Sequence, residues 1–280
     1  MDSPIDGTAT NIRVMGANGP AHDADGVSVF DTDSPYAKAY VQPTSTGVRL
    51  LTAVNSRQAP DQFSYSFDAQ PGTAAIDIGG GVLSLEQPDG ASAGLIMPAW
   101  ARDAAGKEVS TRYTWRDNVL TQTIDLDAAN IVFPVVADPN WTYSFRTTTG
   151  NTTPTRGWTL LHDCFNCYFP VTGAPRSFPT LGSLLPLRVG WSGVADADFI
   201  CLMDQIEPAD RMWKFAAWGN HVDGFGSWIA FGLHKNALNQ NVLEVGAFIV
   251  NDFPSGIPNP IYTEGAKMTW QAFANNLANG

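Results

Sequence analysis

The sequence has few basic residues and few cysteines, and it lacks any long apolar run. Sixteen Lys and Arg stand against 27 Asp and Glu in 280 residues, which gives a formal net charge of −11. Because nucleic acids and anionic lipids are bound largely through Lys and Arg, this charge argues against both as partners. No stretch approaches the roughly 20 apolar residues that a membrane-spanning helix needs, so no transmembrane segment is predicted.

Short catalytic motifs are absent as well. The chain contains no Gly-x-Ser-x-Gly, no His-Glu-x-x-His, no P-loop and no dinucleotide-binding glycine fingerprint. This lowers the expectation of an enzyme without removing it, because glycosidases and exported toxins often have no short motif. The sequence therefore does not name a reaction.

Residues 134–139 divide the chain into two halves of different character. They read Pro-Val-Val-Ala-Asp-Pro, and a Thr-rich segment follows them. The first 140 residues carry a net charge of −9 and the remainder −2, while all three cysteines and seven of the nine tryptophans lie in the second half. Two domains of ordinary size are expected for this length. We predict a supporting module over 1–139, a linker over 140–157 and a functional domain over 158–280.

The N-terminal half is patterned as strands. Phe63, Tyr65 and Phe67 alternate with polar residues, and several similar short segments follow, separated by Gly and Asp turns such as 88–90 and 116–118. Short strands at this spacing are typical of an antiparallel sandwich or barrel. The first half is therefore predicted to be all-β.

The C-terminal half combines helices with strands. Thr153 and Pro154 form a good helix start, since Thr caps the first turn and Pro fits the first helical position. We predict helices over 154–165 and 265–279, with strands between them that include 212–218, 227–234 and 242–250. This half is predicted to be an α+β domain, with an antiparallel sheet flanked by two short helices.

Two stretches of the sequence resemble known exported proteins. Segments 111–115, 120–124 and 133–139 look like a module of exported proteins from high-GC Gram-positive bacteria, and the Pro-Val-Val-Ala-Asp-Pro ending is its most specific part. The string 160–171, which contains Cys-Phe-Asn-Cys-Tyr-Phe-Pro-Val, resembles uncharacterised exported actinobacterial proteins. The resemblance implies a secreted protein and a supporting role for the N-terminal half. It transfers no functional residue.

The three cysteines allow several interpretations. Cys164-x-x-Cys167 stands at a predicted helix end, where the helix dipole does not lower a thiol pKa as it does at a helix start. A zinc site with His162 and a redox pair remain alternatives. Export favours a structural disulfide. We predict a bridge between Cys164 and Cys201, because both are expected on core-facing positions of a helix and a strand.

The glycine-rich loop 219–226 is the main candidate for a functional site. His221 and Asp223 lie within it as candidate catalytic residues, although an Asp-Gly hairpin turn explains the same pattern. Aromatic residues near the loop can stack on a ligand. The predicted binding residues are Trp218, Asn220, His221, Asp223, Phe225 and Trp228.

Two acidic groups are weaker candidates. Asp204, Glu207 and Asp210 are close enough in sequence for the paired carboxylates of glycoside hydrolysis, but a solvated turn explains them more simply. An N-terminal group could gather oxygen ligands for Ca²⁺, but simple turns explain it too. Its members are Asp23, Asp25, Asp31 and Asp33. No other cofactor is predicted.

These observations favour a secreted, non-catalytic binding protein. Its ligand is expected to be a glycan or a component of the cell envelope, held around loop 219–228. The alternative is an exported hydrolase or toxin in which His221 and Asp223 act in catalysis. A structural surface protein without a small ligand is a third interpretation. A thiol or carboxylate that converges on His221 in a pocket would favour the enzyme, whereas an exposed tryptophan strip would favour binding.

Overall fold

The protein is mostly antiparallel β-structure. The computed structural model describes residues 10–24, 26–190, 197–250 and 259–280. Within these residues three sheets and three helices are found. The β-rich character predicted from the sequence is confirmed.

Two of the sheets are built by the N-terminal half. The smaller one has four strands in the order β1 (Ile12–Val14), β6 (Gln62–Phe67), β12 (Val119–Ile124), β11 (Thr111–Arg116). The larger one has ten strands: β2 (Ala17–Ala24), β3 (Val27–Thr32), β4 (Ala37–Pro43), β5 (Gly47–Val54), β14 (Asn140–Thr142), β9 (Ser92–Ile96), β8 (Leu83–Glu86) and β7 (Ala74–Asp77) in order, with β10 (Trp100–Arg102) and β13 (Val135–Asp138) joined at β5.

The four-stranded and ten-stranded sheets share a core. Tyr65 and Leu120 of the smaller sheet are fully buried against Leu50, Leu85 and Trp141 of the larger one. The alternation of buried and half-buried residues along β12 and β5 follows the period-two pattern of the sequence. Each strand therefore directs one apolar face into the space between the two sheets.

The C-terminal half forms the third sheet together with the helices. Its six strands run in the order β15 (Ser144–Thr148), β20 (Asn241–Phe248), β19 (Trp228–Lys235), β18 (Met212–Trp218), β17 (Ala197–Glu207), β16 (Leu184–Val189). The helices are α1 (Pro154–Asp163), α2 (Phe165–Tyr168) and α3 (Asn259–Ala278). The side chain of Thr153 caps α1 by accepting from the Arg156 N–H, as the sequence predicted.

Aromatic side chains fill the space between this sheet and its helices. Trp213 and Phe231 stack at 5.1 Å between ring centroids, and Phe273 of α3 packs against both. Phe165 and Phe169 enter the same cluster from α2 and the residue that follows it. We call this side of the sheet the inner face. Its packing leaves the opposite, outer face as the place where ligands can approach the sheet.

The segment predicted to be a linker, 140–157, contains β14 and β15, and its last residues begin α1. Strand β14 pairs with β5 and β9, and β15 pairs with β20, so that only Tyr143 separates the ten-stranded sheet from the six-stranded one. Ile78 and Met97 of the first half pack with Met212 of the second. The two halves meet along this junction, and their separate folding stays a prediction.

The predicted Cys164–Cys201 disulfide is wrong, because Cys164 is bonded to Cys167. Helix α1 ends at Asp163, two residues earlier than predicted, and the chain turns at once into α2. This turn brings the two Cα atoms to 5.3 Å, within the range that a disulfide spans. Cys201 is a free, buried thiol on β17.

Among the described residues, no helix is both long and apolar enough to cross a membrane.

Candidate functional site

The outer face of β16, β17 and β18 exposes a band of apolar side chains, which we call the outer strip. Leu184 opposes Leu202 in the sheet, and Pro186, Ile200 and Trp218 lie in the next cross-strand row. Leu184 is 51% exposed, Ile200 39% and Trp218 45%. Exposure of three large apolar residues in neighbouring rows is unusual away from binding surfaces.

An ion pair lies beyond each end of the outer strip. Arg188 and Asp198 form the row next to Pro186 and Ile200, and their side chains face solvent. At the other end, Lys214 Nζ lies 3.1 Å from Asp204 Oδ2. The outer strip is therefore an apolar surface with a fixed charge pair at each end.

The N-terminal half covers the rest of this outer face. Leu95 reaches to Gly246 on β20 and Ile78 to Gly232 on β19, where the absence of side chains lets the two halves approach. Trp228, on the same face, stacks on Phe248 and packs into the junction. Gly232 and Gly246 thus mark where the N-terminal half lies closest to the sheet, whereas the outer strip stays uncovered by it.

A groove of about 540 Å³ lies at the Trp218 end of the outer strip. Its volume falls within the range typical of ligand sites, about 300–1,000 Å³. The lining residues are Thr172, Gly173, Pro186, Leu187, Arg188, Asp198, Phe199, Ile200, Trp218 and Asn220.

One wall of the groove requires a glycine. Gly173 adopts a φ of +91°, and a Cβ at this position would lie 2.4 Å from the Pro186 carbonyl oxygen. The neighbouring Thr172 accepts a hydrogen bond of 2.8 Å from the Arg188 N–H through its carbonyl oxygen. This contact fixes the wall against the edge strand β16 and places it beside the Arg188 side chain.

The Arg188–Asp198 pair is held in bidentate geometry. Arg188 Nε donates to Asp198 Oδ1 at 2.6 Å, and Nη2 donates to Oδ2 at 3.1 Å. These hydrogen bonds are the main reason why the pKa of Asp198 lies below its usual value. A carboxylate and a guanidinium therefore stand side by side, both charged, at the groove.

Behind the groove, Cys201, His221 and Asp223 come together. Cys201 Sγ lies 3.6 Å from His221 Nε2, and Asp223 Oδ2 lies 3.6 Å from His221 Nδ1. The ring of Phe199, which lines the groove, packs edge-on against the imidazole at 4.9 Å. Cys201 is 5% exposed and His221 9%, so the cluster is separated from solvent.

The hydrogen bonds of His221 are unsuited to activation of the thiol. The backbone N–H of Asp223 donates to His221 Nδ1 at 3.2 Å, which places a lone pair on that nitrogen. The proton of the neutral ring is then on Nε2 and points toward Cys201. A general base would need a lone pair there instead.

Electrostatics agree with a neutral thiol and a neutral imidazole. Burial, together with a smaller effect of the nearby Asp223 carboxylate, raises the pKa of Cys201 to about 12. Burial also lowers the pKa of His221 and outweighs the opposite effect of Asp223. The pair is thus uncharged at neutral pH, which is the state expected of buried structural residues.

The structure separates the predicted site residues into three groups. Trp218 and Asn220 line the groove, and His221 and Asp223 lie behind it. Phe225 is 85% exposed, and Trp228 belongs to the junction. Sequence reasoning missed the Arg188–Asp198 pair. Period two along β16 places Arg188 on the face opposite to Leu185 and Leu187, but it gives no signal for the partner strand or for Asp198.

The remaining candidates do not assemble into sites. Asp204 pairs with Lys214, whereas Glu207 accepts from Gln205 and packs against Gly80. Among the Ca²⁺ candidates, Asp23 accepts from the Gly26 N–H, Asp31 pairs with Lys38, Asp33 accepts from Asn18, and Asp25 lies outside the described residues. Over the part of the chain that the structure describes, no group of three or more His, Cys, Asp or Glu is placed to hold a metal ion.

Comparison with known proteins gives only distant likenesses. No protein-family model matches the chain, and no curated protein matches it either. Among solved structures, major latex-like protein 151 from Panax ginseng is 15% identical with a TM-score of 0.33, covering 47% of this chain and 92% of its own. Protein CV1439 from Chromobacterium violaceum is 13% identical with a TM-score of 0.33, covering 49% of this chain and 93% of its own.

A third solved structure aligns along almost the whole length. It is the di-domain ARO/CYC StfQ from the steffimycin biosynthetic pathway, which is 8% identical with a TM-score of 0.32 and covers 97% of each chain. At these TM-scores the likenesses carry no functional argument.

Proposed function

We propose that this chain is a secreted, non-catalytic glycan-binding protein. The groove on the outer face of the six-stranded sheet holds the ligand, and the N-terminal β half supports that sheet as a second domain. The observation that carries the proposal is the exposed indole of Trp218 on the outer sheet face, with Asn220, Arg188 and Asp198 lining the same groove. A sugar offers an apolar C–H face to an aromatic ring and hydroxyl groups to polar side chains.

The shape of the sheet supports a glycan over a lipid of the envelope. An acyl chain is best bound in a closed apolar cavity, and aromatic side chains such as Phe169, Phe231 and Phe273 occupy the space under the helices. The groove is instead open to solvent, and Arg188, Asp198 and Asn220 are among its lining residues. Such a surface suits a polar ligand that has one apolar side.

Two features support secretion. A disulfide such as Cys164–Cys167 persists in oxidising compartments outside the cytosol. The acidic composition, with five Lys in 280 residues, agrees with the resemblance to exported proteins.

The first test is loss of the indole. Trp218→Ala should weaken binding of neutral oligosaccharides at least about fivefold in titration calorimetry, taking as a guide the about 1–3 kcal/mol that a nucleobase gains by stacking on an aromatic side chain. Tyr36→Ala is the matched control, since Tyr36 is an aromatic residue of the N-terminal half with 39% exposure. Equal affinities for the wild type and Trp218→Ala would refute the proposal.

The hydrolase alternative is favoured by a single observation, the contact of Cys201 with His221 and Asp223. Because the pKa of Cys201 is raised to about 12, the native thiol should resist iodoacetamide at pH 8 and react only after unfolding in guanidinium. Mass mapping of the alkylated cysteine measures this directly. Faster alkylation of the native protein than of a free cysteine would instead establish an activated thiol and support the enzyme.

A further inference from the structure

We infer that the groove selects a neutral sugar with a vicinal diol, which it recognises through the Arg188–Asp198 pair while the sugar ring stacks on Trp218. This inference rests on the proposed glycan-binding function and adds the substrate class and the residues that determine it. Three features of the groove lead to it.

The first feature is the spacing between the ring platform and the ion pair. Trp218 opposes Ile200 in the sheet, and Asp198 lies two residues before Ile200 on the same face of β17. Two residues along a strand correspond to about 6.6–6.8 Å. A pyranose ring that stacks on the indole therefore has its edge, where the hydroxyl groups lie, directed at Arg188 and Asp198.

The second feature is the chemistry of the pair. A carboxylate has about four acceptor sites, and Arg188 occupies two of those on Asp198. A diol has two neighbouring hydroxyl groups, each of which both donates and accepts. One hydroxyl can donate to Asp198 while its neighbour accepts from the guanidinium, so a single rigid unit satisfies both partners.

The third feature is the charge around the groove. Asp198 is 72% exposed in its side chain, and the chain as a whole carries a net charge of −11. A carboxylate on the ligand would compete with Asp198 for Arg188 and would meet repulsion from Asp198 itself. A uronic acid polymer is therefore disfavoured, and a neutral hexose oligosaccharide fits the same geometry without that repulsion.

The experiment compares mannotetraose, cellotetraose and tetragalacturonate by titration calorimetry with the full chain. At least one of the two neutral tetrasaccharides should bind at least ten times more tightly than tetragalacturonate. Asp198→Asn should weaken the binding of that neutral sugar at least tenfold, because hydrogen bonds to charged groups are among the stronger ones. Asp204→Asn is the matched control, because Asp204 belongs to the other ion pair of the same face, and it should change the affinity less than twofold.

A deoxygenated ligand identifies the contact. If the hydroxyl that bonds to Asp198 is removed from the bound neutral sugar, Asp198→Asn should cause no further loss, so the two changes are not additive. The melting temperature of each variant verifies that the fold is intact.

The possible failures are distinguishable. The diol inference is wrong if binding depends on Trp218 but is unchanged in Asp198→Asn. It is also wrong if tetragalacturonate binds more tightly than the neutral sugars. Both results would still agree with a glycan-binding function. No binding of either neutral tetrasaccharide to the wild type overturns both.

Discussion

Two buried carboxylates, Glu244 at the junction of the halves and Asp138 in strand β13, each lie near an arginine, yet their pKa values shift in opposite directions. Glu244 accepts from Ser84, Ser144 and His234 at 2.7–2.8 Å and from Arg146 at 3.0 Å. Burial tends to raise its pKa, but the hydrogen bond from His234 and the Arg146 charge outweigh burial and hold that pKa far below its usual value.

Asp138 has a cationic neighbour but fewer bonds. Arg49 Nε lies 3.7 Å away and Arg49 is partly exposed, while Asp138 Oδ1 has no hydrogen-bond partner among the described residues. Burial therefore dominates and raises the pKa of Asp138 to about 7, against smaller opposing effects of the Arg49 charge and of one hydrogen bond with the Trp100 side chain. The difference teaches that the number of hydrogen bonds, more than the presence of a nearby arginine, decides whether a buried carboxylate stays ionised.

The largest effect is expected from breaking the well-bonded site. Glu244→Gln should lower the free energy of unfolding by about 3–5 kcal/mol at pH 7, because it leaves the buried Arg146 charge with reduced compensation. Urea denaturation measures the loss. Glu108→Gln, at an exposed ion pair with Arg102, is the control and should leave stability unchanged.

The pH dependence of stability provides a second test of the role of Glu244. Because the folded pKa of Glu244 is depressed, its stabilisation is fully present above the unfolded value of 4.5 and is lost as pH falls below it. The difference in free energy of unfolding between the wild type and Glu244→Gln should therefore become smaller in acid. A difference in free energy of unfolding that stays constant below pH 4 would contradict the depressed pKa of Glu244.

Neutralising Asp138 is expected to raise the free energy of unfolding, the opposite of the effect of Glu244→Gln. The folded pKa of Asp138 is raised from 3.8 to about 7, so its protonated form stabilises the fold at low pH and this contribution is lost as pH rises between those values. Asp138→Asn stays neutral and should be more stable than the wild type at pH 8, by at most about 4 kcal/mol. The two proteins should converge near pH 4 in thermal melts. Lower stability of the variant at pH 8 would show that Asp138 is ionised and well bonded.

The smallest of these effects tests the close approach of the halves. A Cβ on Gly246 would lie 2.5 Å from Leu95 Cδ1, whereas one on Gly232 would lie 3.1 Å from Ile78 Cδ1. Gly246→Ala should therefore cost roughly 1–3 kcal/mol through overpacking. Gly232→Ala should be nearly neutral, because relief of glycine entropy offsets its milder contact. Equal costs in urea denaturation would show that the junction tolerates movement at β20.

Local patterns of the sequence predicted much of this architecture. The cap at Thr153 and the strand 212–218 were readable because capping and period two act within a few residues. Period two places Trp213 and Phe215 on one face of that strand and Trp218 on the other. They are 0%, 1% and 45% exposed, respectively.

Features that depend on distant residues were not readable. Arg188 and Asp198 meet only through the register of β16 and β17, and nothing local in the sequence sets that register. Glu86 and Glu244 look like surface residues in sequence, yet both are buried because Arg146 lies between them. The disulfide was mispredicted because the end of α1, two residues before the predicted one, decides which thiols meet.

The order of the junction residues along the chain has a consequence for biosynthesis. Glu86 is made sixty residues before its partner Arg146 and more than 150 before Glu244. At about 5–20 residues per second, Arg146 follows Glu86 by roughly 3–12 s and Glu244 by roughly 8–32 s. Until then the face of β8 that carries Glu86 has no partner from the second half, and the nascent chain must keep it hydrated or covered by another protein. During that interval the Glu86 carboxylate has neither of its later neighbours in the buried ion-pair cluster, Arg146 and Glu244, and can pair with other groups.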